Sequence, residues 1–378
     1  MTVRVSKPKI NVREKLSELD NPIGNHGAQL MKSIDAAETF NLIGAGRRNI
    51  VINGDMSISQ RYGTTARTIP GENTYVLDRW GGWSNQASKF SVQQVADAPT
   101  EEGLKYSTKC TSLSAFSAAN GDWFGYNHRI EANNISQGLL GTANAKTFTL
   151  SFWVKSSLTG PWYGSIRTKG SSPDKCYPYG YTINTANTWE KKTLTFPGAE
   201  DGTWGSGTAE GMCLWWDLGT GSDFQGDGPT WHSANKTGIK ASPFIAVNGA
   251  TWYITGVQLE LGTFATPFEH RSYAEELALC QRYYEAMIMG TGTALLRTFT
   301  NTAGSPTNVS NVNHKFHVTK RATPTWSLEG NATWHPTGTS AMSAYPSTTE
   351  CLFQRNDTTH QFLTDGAGDL CGSFSAEL

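Results

Sequence analysis

The 378-residue chain reads as a mostly β protein, a two-sheet sandwich with short helical segments before and after it. Three observations carry that reading. Apolar and polar residues alternate in several short runs, as they do along half-buried strands. Gly, Asn, Asp and Ser punctuate those runs as turn residues do. Aromatic residues reach 11%, with 13 Trp, while charged residues stay at 17% against a usual value of roughly 25%.

Residues 1–48 stand apart. Phe40 is their only aromatic side chain, and Arg4, Lys7, Lys9, Arg13 and Lys15 face Glu14 alone in the first fifteen positions. Two short helices fit, one at 12–19 and one opening at Asp35, where Glu38 completes an Asp-x-x-Glu capping box and Gly44 offers a stop. Neither is long enough to hold alone in water, so this arm must dock on something or stay a disordered tail.

The sandwich is read over 49–271. Its clearest strand is 147–155, with Phe148, Leu150, Phe152 and Val154 on one face and Thr147, Thr149 and Ser151 on the other. Residues 212–218 repeat the pattern, with Met212, Leu214, Trp216 and Leu218 inward and Trp215 outward. Residues 251–259 are apolar on both faces, as in a central, doubly covered strand. Further strands read at 49–52, 89–95, 105–108 and 189–196. Roughly eight strands in about 220 residues predict a jelly-roll-like sandwich.

A connecting helix is read at 272–289. Ser272 and Glu275 form its capping box, Tyr273, Leu277, Cys280 and Tyr284 make one apolar stripe, and Gly290 ends it. Residues 290–378 return to short strands at 294–300, 314–319, 325–328, 350–354 and 370–376, a smaller distal β domain.

Lys+Arg 31 against Asp+Glu 32 gives a net charge of -1. That balance argues against a nucleic-acid binder and predicts weak long-range steering toward charged surfaces. No apolar run approaches 18 residues, so no membrane-inserting helix is expected, and the basic N-terminus lacks the apolar core of a secretory signal. The six cysteines are scattered without zinc spacing and read as buried, reduced thiols, so no metal and no cofactor is expected.

Several runs resemble the tail-fibre and head-fibre proteins of tailed bacteriophages, a family of virion appendages common in marine phages. Residues 5–20 (VSKPKINVREKLSELD) are similar to the family's attachment arm, and 40–56 (FNLIGAGRRNIVINGDM) to the junction into its sandwich. Residues 147–157 (TFTLSFWVKSS) resemble its central strand, and 253–262 (YITGVQLELG) with 265–284 (ATPFEHRSYAEELALCQRYY) its last strand and helix. Beyond 285 the likeness is weaker, resting on 320–326 and 372–378. The resemblance implies a homotrimeric structural fibre on the virion exterior, made in the bacterial cytoplasm. Its arm would meet tail or capsid proteins, and its β domains would face a host glycan or other receptor. Arg4, Lys7, Lys9, Arg13, Phe40 and Leu42 are then the candidate attachment residues.

Catalytic motifs do not emerge. The Gly/Ser strings at 202–208 and 219–222 lack the spacing of a nucleophile elbow. His314 and His317 lie three apart on a predicted strand, which points them to opposite faces. Asp223 with Asp227, and Asp365 with Asp369, are carboxylate pairs in loops. A polysaccharide-degrading tail enzyme would need such a pair flanking a sugar. That enzyme and a capsid decoration without receptor role are the alternatives to a non-enzymatic adhesive fibre. The candidate glycan-binding residues are Trp162, Trp204, Trp215 and Trp231, read in loops or on an outward strand face, where rings stack on sugars. The competing reading places the same rings in the core or at a trimer interface.

Overall fold

The computed structural model describes residues 48–168, 174–288, 309–328, 333–334, 343–356, 363–364 and 370–378. The chain forms two compact units, Met1–Arg48 and Asn49–Leu378. The helices read at 12–19 and 35–44, the six attachment residues, the strand read at 294–300 and the pair Asp365/Asp369 lie outside the described residues.

In chain order the sandwich strands are β1 (Arg67–Thr68), β2 (Thr74–Leu77), β3 (Trp80–Ser84), β4 (Phe90–Val95), β5 (Ser107–Ser112), β6 (Trp123–Glu131), β7 (Phe148–Ser156), β8 (Gly160–Arg167), β9 (Cys176–Ile183), β10 (Glu190–Phe196), β11 (Glu210–Thr220) and β12 (Thr251–Leu261). They form two six-stranded antiparallel sheets. Sheet A runs β1-β4-β5-β12-β7-β10 and sheet B runs β2-β3-β6-β11-β8-β9. From β5 onward the chain passes repeatedly from one sheet to the other, which gives the sandwich its jelly-roll character. The inward sets read from alternation are buried as expected: Phe148, Leu150, Phe152 and Val154 from β7 meet Met212, Leu214, Trp216 and Leu218 from β11 in one core. Each such side chain contributes about 1.5–3 kcal/mol of burial.

Sheet B is where the structure departs most from expectation, because β3, β6, β8 and β9 carry glycines and prolines that read as turns. Apart from Gly160, which opens β8 at φ +106° with free space beside it, those glycines sit where another group comes close to the strand. A Cβ on Gly125 would lie 2.1 Å from the Trp215 ring, and one on Gly164 2.4 Å from the Trp215 carbonyl oxygen. They are close-approach positions rather than turns.

The two apolar faces of β12 have a different cause from the one expected. A bulge between Thr255 and Gln258, with Gly256 at φ +58°, shifts the register, so Trp252 and Ile254 before it and Val257 and Leu259 after it enter the same core. The strand read at 49–52 is instead an irregular buried segment beside this bulge. The Asn49 side chain takes the ladder's place: its Oδ1 accepts from Leu259 N and Val51 N, and its Nδ2 donates to Val257 O.

Helix α1 is the short turn Ala132–Ile135, and α2 spans Tyr273–Gln281. Ser272 caps α2 by accepting from Glu275 N at 3.3 Å. The helix is shorter than expected, however. Tyr273 is 65% exposed, Cys280 is buried, and Tyr284 already opens the next strand, so the four-residue stripe does not form one helical face.

That strand is β13 (Tyr284–Ile288), followed by β14 (Val309–Lys315), β15 (Thr325–Leu328), β16 (Thr333–Trp334), β17 (Ser343–Pro346), β18 (Glu350–Asn356), β19 (Leu363–Thr364) and β20 (Leu370–Ser375). They make the small sheets β13-β20-β15, β14-β18-β17 and β16-β19. Phe316, Cys351, Phe353 and Phe374 form their own core. Residues 290–378, expected as a distal domain, belong to the same compact unit as the sandwich. The reason is a polar clamp. Glu377 pairs with Arg61 at 2.9 Å and with the buried Arg79, while Leu378 O accepts from Tyr75 Oη at 2.9 Å and Arg129 at 2.7 Å. Arg79 stands at φ +69° in the β2–β3 turn, its guanidinium 3.6 Å from the centroid of the Tyr283 ring.

Candidate functional site

The outward face of sheet B carries three tryptophans from three strands. Trp83 on β3 sits opposite Gly125 on β6, and Trp215 on β11 lies beside Asn127 of β6 and Ser165 of β8. Because Gly125 has no side chain, Trp215 lies across β6 and reaches its neighbours. Ring centroids are 5.0 Å apart for Trp83–Trp123, 5.8 Å for Trp83–Trp215 and 6.2 Å for Trp123–Trp215, with interplanar angles of 83°, 62° and 63°. Edge-to-face contacts of this kind fix the rings against one another.

The segment between β11 and β12 folds over this face. Phe224, Asn235 and Thr237 from it, together with Arg167 and Asp174, complete a pocket of about 150 Å³ around the three indoles. Thr237 Oγ1 donates to Thr220 Oγ1 at 2.9 Å, which anchors the covering segment to β11, and Lys236 Nζ donates to Asp223 O at 2.9 Å within the segment. Arg167 donates to Asn235 Oδ1 and lies 5.2 Å from the Trp215 ring centroid. Trp215 is fully buried as the floor, while Trp83, Trp123 and Phe224 are half-buried walls. The volume is below the ~300 Å³ of drug-sized pockets and suits one small ring, with apolar walls and a polar rim.

Near the pocket, burial pushes the Cys176 thiol up. Asp217, two positions past the outward Trp215 on β11, is pushed up to about 8 by burial. Its Oδ2 accepts from Ser242 N at 2.7 Å, and its Oδ1 has no hydrogen-bond partner among the described residues.

Of the four expected tryptophans, Trp215 alone belongs to this pocket. Trp162 is a correction: on β8 it shares inward parity with Ile166 and is fully buried in the sandwich core. Trp204 and Trp231 pack on each other edge-on at 5.7 Å and against the core beside Phe196 and Tyr177. Trp231 Nε1 donates to Pro197 O at 2.8 Å. Trp204 also borders a shallower groove of about 340 Å³ with Leu139, Leu140 and Ile135. The reading missed Trp83 and Trp123. Their signal is the Trp/Gly pair at i, i+2 (Gly81 with Trp83, Trp123 with Gly125), which leaves a flat gap beside a ring on one face.

His314 and His317 also correct the reading, because β14 ends at Lys315 and the alternation stops with it. Both imidazoles converge on the buried Glu285, at 3.4 and 2.9 Å from its Oε1, and Lys320 Nζ donates to its Oε2 at 2.5 Å. These partners hold the Glu285 carboxyl down at about 2 although burial opposes them. Asp223 and Asp227 are exposed. Among the described residues no group of three or more His, Cys, Asp or Glu is arranged to hold a metal, and no helix is long and apolar enough to cross a membrane.

No protein-family model matches the chain, and no curated protein matches it. Solved structures similar in fold include the enzymatically active domain of bacteriophage CBA120 tailspike protein 4, at 15% identity and TM-score 0.33, over 57% of this chain and 21% of that one. A putative sugar-binding protein from Bacteroides thetaiotaomicron is similar at 13% identity and TM-score 0.35, over 57% of this chain and all of that one. A family 11 carbohydrate-binding module from Clostridium thermocellum is similar at 13% identity and TM-score 0.27, over 55% and 99%. The chain thus spans about a fifth of the tailspike domain's length and the whole of the sugar-binding protein's.

Proposed function

We propose that this is a non-enzymatic glycan-binding protein of a tailed-phage virion, held by residues 1–48 and presenting its sandwich outward for adhesion. The observation that carries glycan binding is the Trp83/Trp123/Trp215 pocket with Arg167, Asp174, Asn235 and Thr237 at its rim. Flat indoles offer the apolar faces of a sugar ring a surface, while a fork of donors and carboxylate acceptors meets its hydroxyls. The phage setting and a homotrimeric assembly rest on the sequence resemblance of 5–285. Single-ring sites bind weakly, and three copies per fibre would turn weak sites into avidity of about 10²–10⁴.

The test is a glycan array followed by titration calorimetry on wild type and Trp83→Ala. Removing one stacking ring should weaken binding about fivefold, measured at a temperature where the variant, somewhat destabilised by loss of its ring contacts, is fully folded. Equal affinity in the variant would refute the pocket as the site. Release of reducing ends from host polysaccharide would replace the adhesive reading with an enzymatic one, and a monomer by light scattering at micromolar concentration would remove the trimer.

A further inference from the structure

The outward face of sheet A holds a second arrangement, unconnected with the tryptophan pocket. One cross-strand row places Gln93 of β4 beside Lys109 of β5, Lys109 beside Tyr253 of β12, and Tyr253 beside Lys155 of β7. The neighbouring row sets Trp153 of β7 beside Lys191 of β10. The inward partners of these strands, such as Val92, Cys110, Trp252, Ile254 and Val154, are core residues, so this set faces away from the core.

The Tyr253 ring lies between two ammoniums, 4.5 Å from Lys155 Nζ and 5.8 Å from Lys109 Nζ to its centroid, with Trp189 edge-on at 6.2 Å. Lys155 is also 4.9 Å from the Trp189 centroid and is paired with Asp97 at 2.5 Å. Lys109 and Lys191 pair with no carboxylate among the described residues, and the Tyr253 hydroxyl makes no hydrogen bond among them. Three ammoniums thus share this face with Asp97 and with Glu260, which is buried and already accepts from Thr266 N at 3.0 Å, in a chain whose formal charge is -1. Charge segregated in this way, on rings that shield it from full hydration, complements an anion.

We infer that the outward face of sheet A binds an acidic polysaccharide through Lys109, Lys155, Lys191 and Tyr253. Lys109 and Lys155 stand two strands apart, about 10 Å, so one small anion cannot serve both, whereas a chain with recurring carboxylates can. Nucleic acid is the poorer complement: its phosphates recur at about 1.7 Å of duplex axis, and three ammoniums on a chain without basic excess neutralise few of them.

The experiment is affinity electrophoresis of the full chain through gels containing polygalacturonate, with dextran as the neutral polymer and mixed-sequence single-stranded DNA as a competing polyanion. Polygalacturonate should retard the protein, less so as salt rises from low to physiological strength, and dextran should not. Lys109→Gln/Lys191→Gln should weaken retardation about tenfold at an unchanged melting temperature. Trp83→Ala should leave it intact, which separates this face from the pocket. Equal retardation by dextran, unchanged retardation of the double variant, or DNA competing as well as free polygalacturonate would overturn the inference.

Discussion

Replacing Glu285 by Gln isolates one buried carboxylate whose contribution has a defined pH window. The carboxyl is held near 2, against 4.5 unperturbed, by His314, Lys320 and His317, with burial opposing them. A depressed folded value means the stabilisation is complete above about 4.5 and disappears as pH falls toward 2. At face value the shift corresponds to about 3 kcal/mol. Because His317 is 69% exposed, water reaches the cluster, and about 1–2 kcal/mol is the better expectation. Urea unfolding of wild type and Glu285→Gln between pH 7 and 2.5 reads the effect. The variant should be less stable by that amount at pH 7, and the two should converge as pH approaches 2.5. A gap that stays constant across the range would refute the assignment, since it would reflect packing rather than charge.

Asp217→Asn should act in the opposite sense. Its folded value is raised to about 8, so wild-type stability is full below about 4 and declines as pH rises to 8, and the variant should gain roughly 1–3 kcal/mol over wild type by pH 8.5. A denaturation series across that interval decides it. Gly125→Ala puts a methyl 2.1 Å from the Trp215 ring and should cost about 1–3 kcal/mol while abolishing glycan binding at the pocket, read by thermal melting and calorimetry together. Glu377→Gln leaves buried Arg79 without its carboxylate and should lower stability by about 3–5 kcal/mol, visible as a lower urea midpoint.

Sheet A was legible in the sequence because β4, β7 and β10 alternate cleanly and β12 is a long apolar run: all four emerge within a few residues of their bounds. Sheet B was largely illegible, because Gly125 and Gly164 occupy strand positions where groups of the neighbouring β11 approach, and Pro178 is tolerated because β9 is an edge strand. The pocket suffers from the same locality. Trp215 was placed on an outward face correctly from alternation around Leu214 and Trp216, but Trp83, Trp123, Arg167 and Thr237 come from separate segments that only the sheet order brings together. Trp162 was misplaced because Gly160 and Pro161 hide the parity of β8. The net charge of -1 is correct as a sum and conceals that Lys109, Lys155 and Lys191 share one face.

The position of β11 and β12 in their sheets bears on how the molecule is made. Each is the middle of its sheet, β11 seated between β6 and β8 and β12 between β5 and β7, yet both come last among the sandwich strands. A ribosome that has released residues up to about 205 has delivered β1 to β10 as four separate half-sheets, in which β5, β6, β7 and β8 each have one bonding edge waiting. Nearly every contact that completes the core then joins segments far apart in the chain, which makes for slow folding. During that interval the waiting edges can pair with those of another copy. Fragments ending before β11 should therefore be recovered as aggregates, and production of the whole chain should benefit from slow synthesis at low temperature.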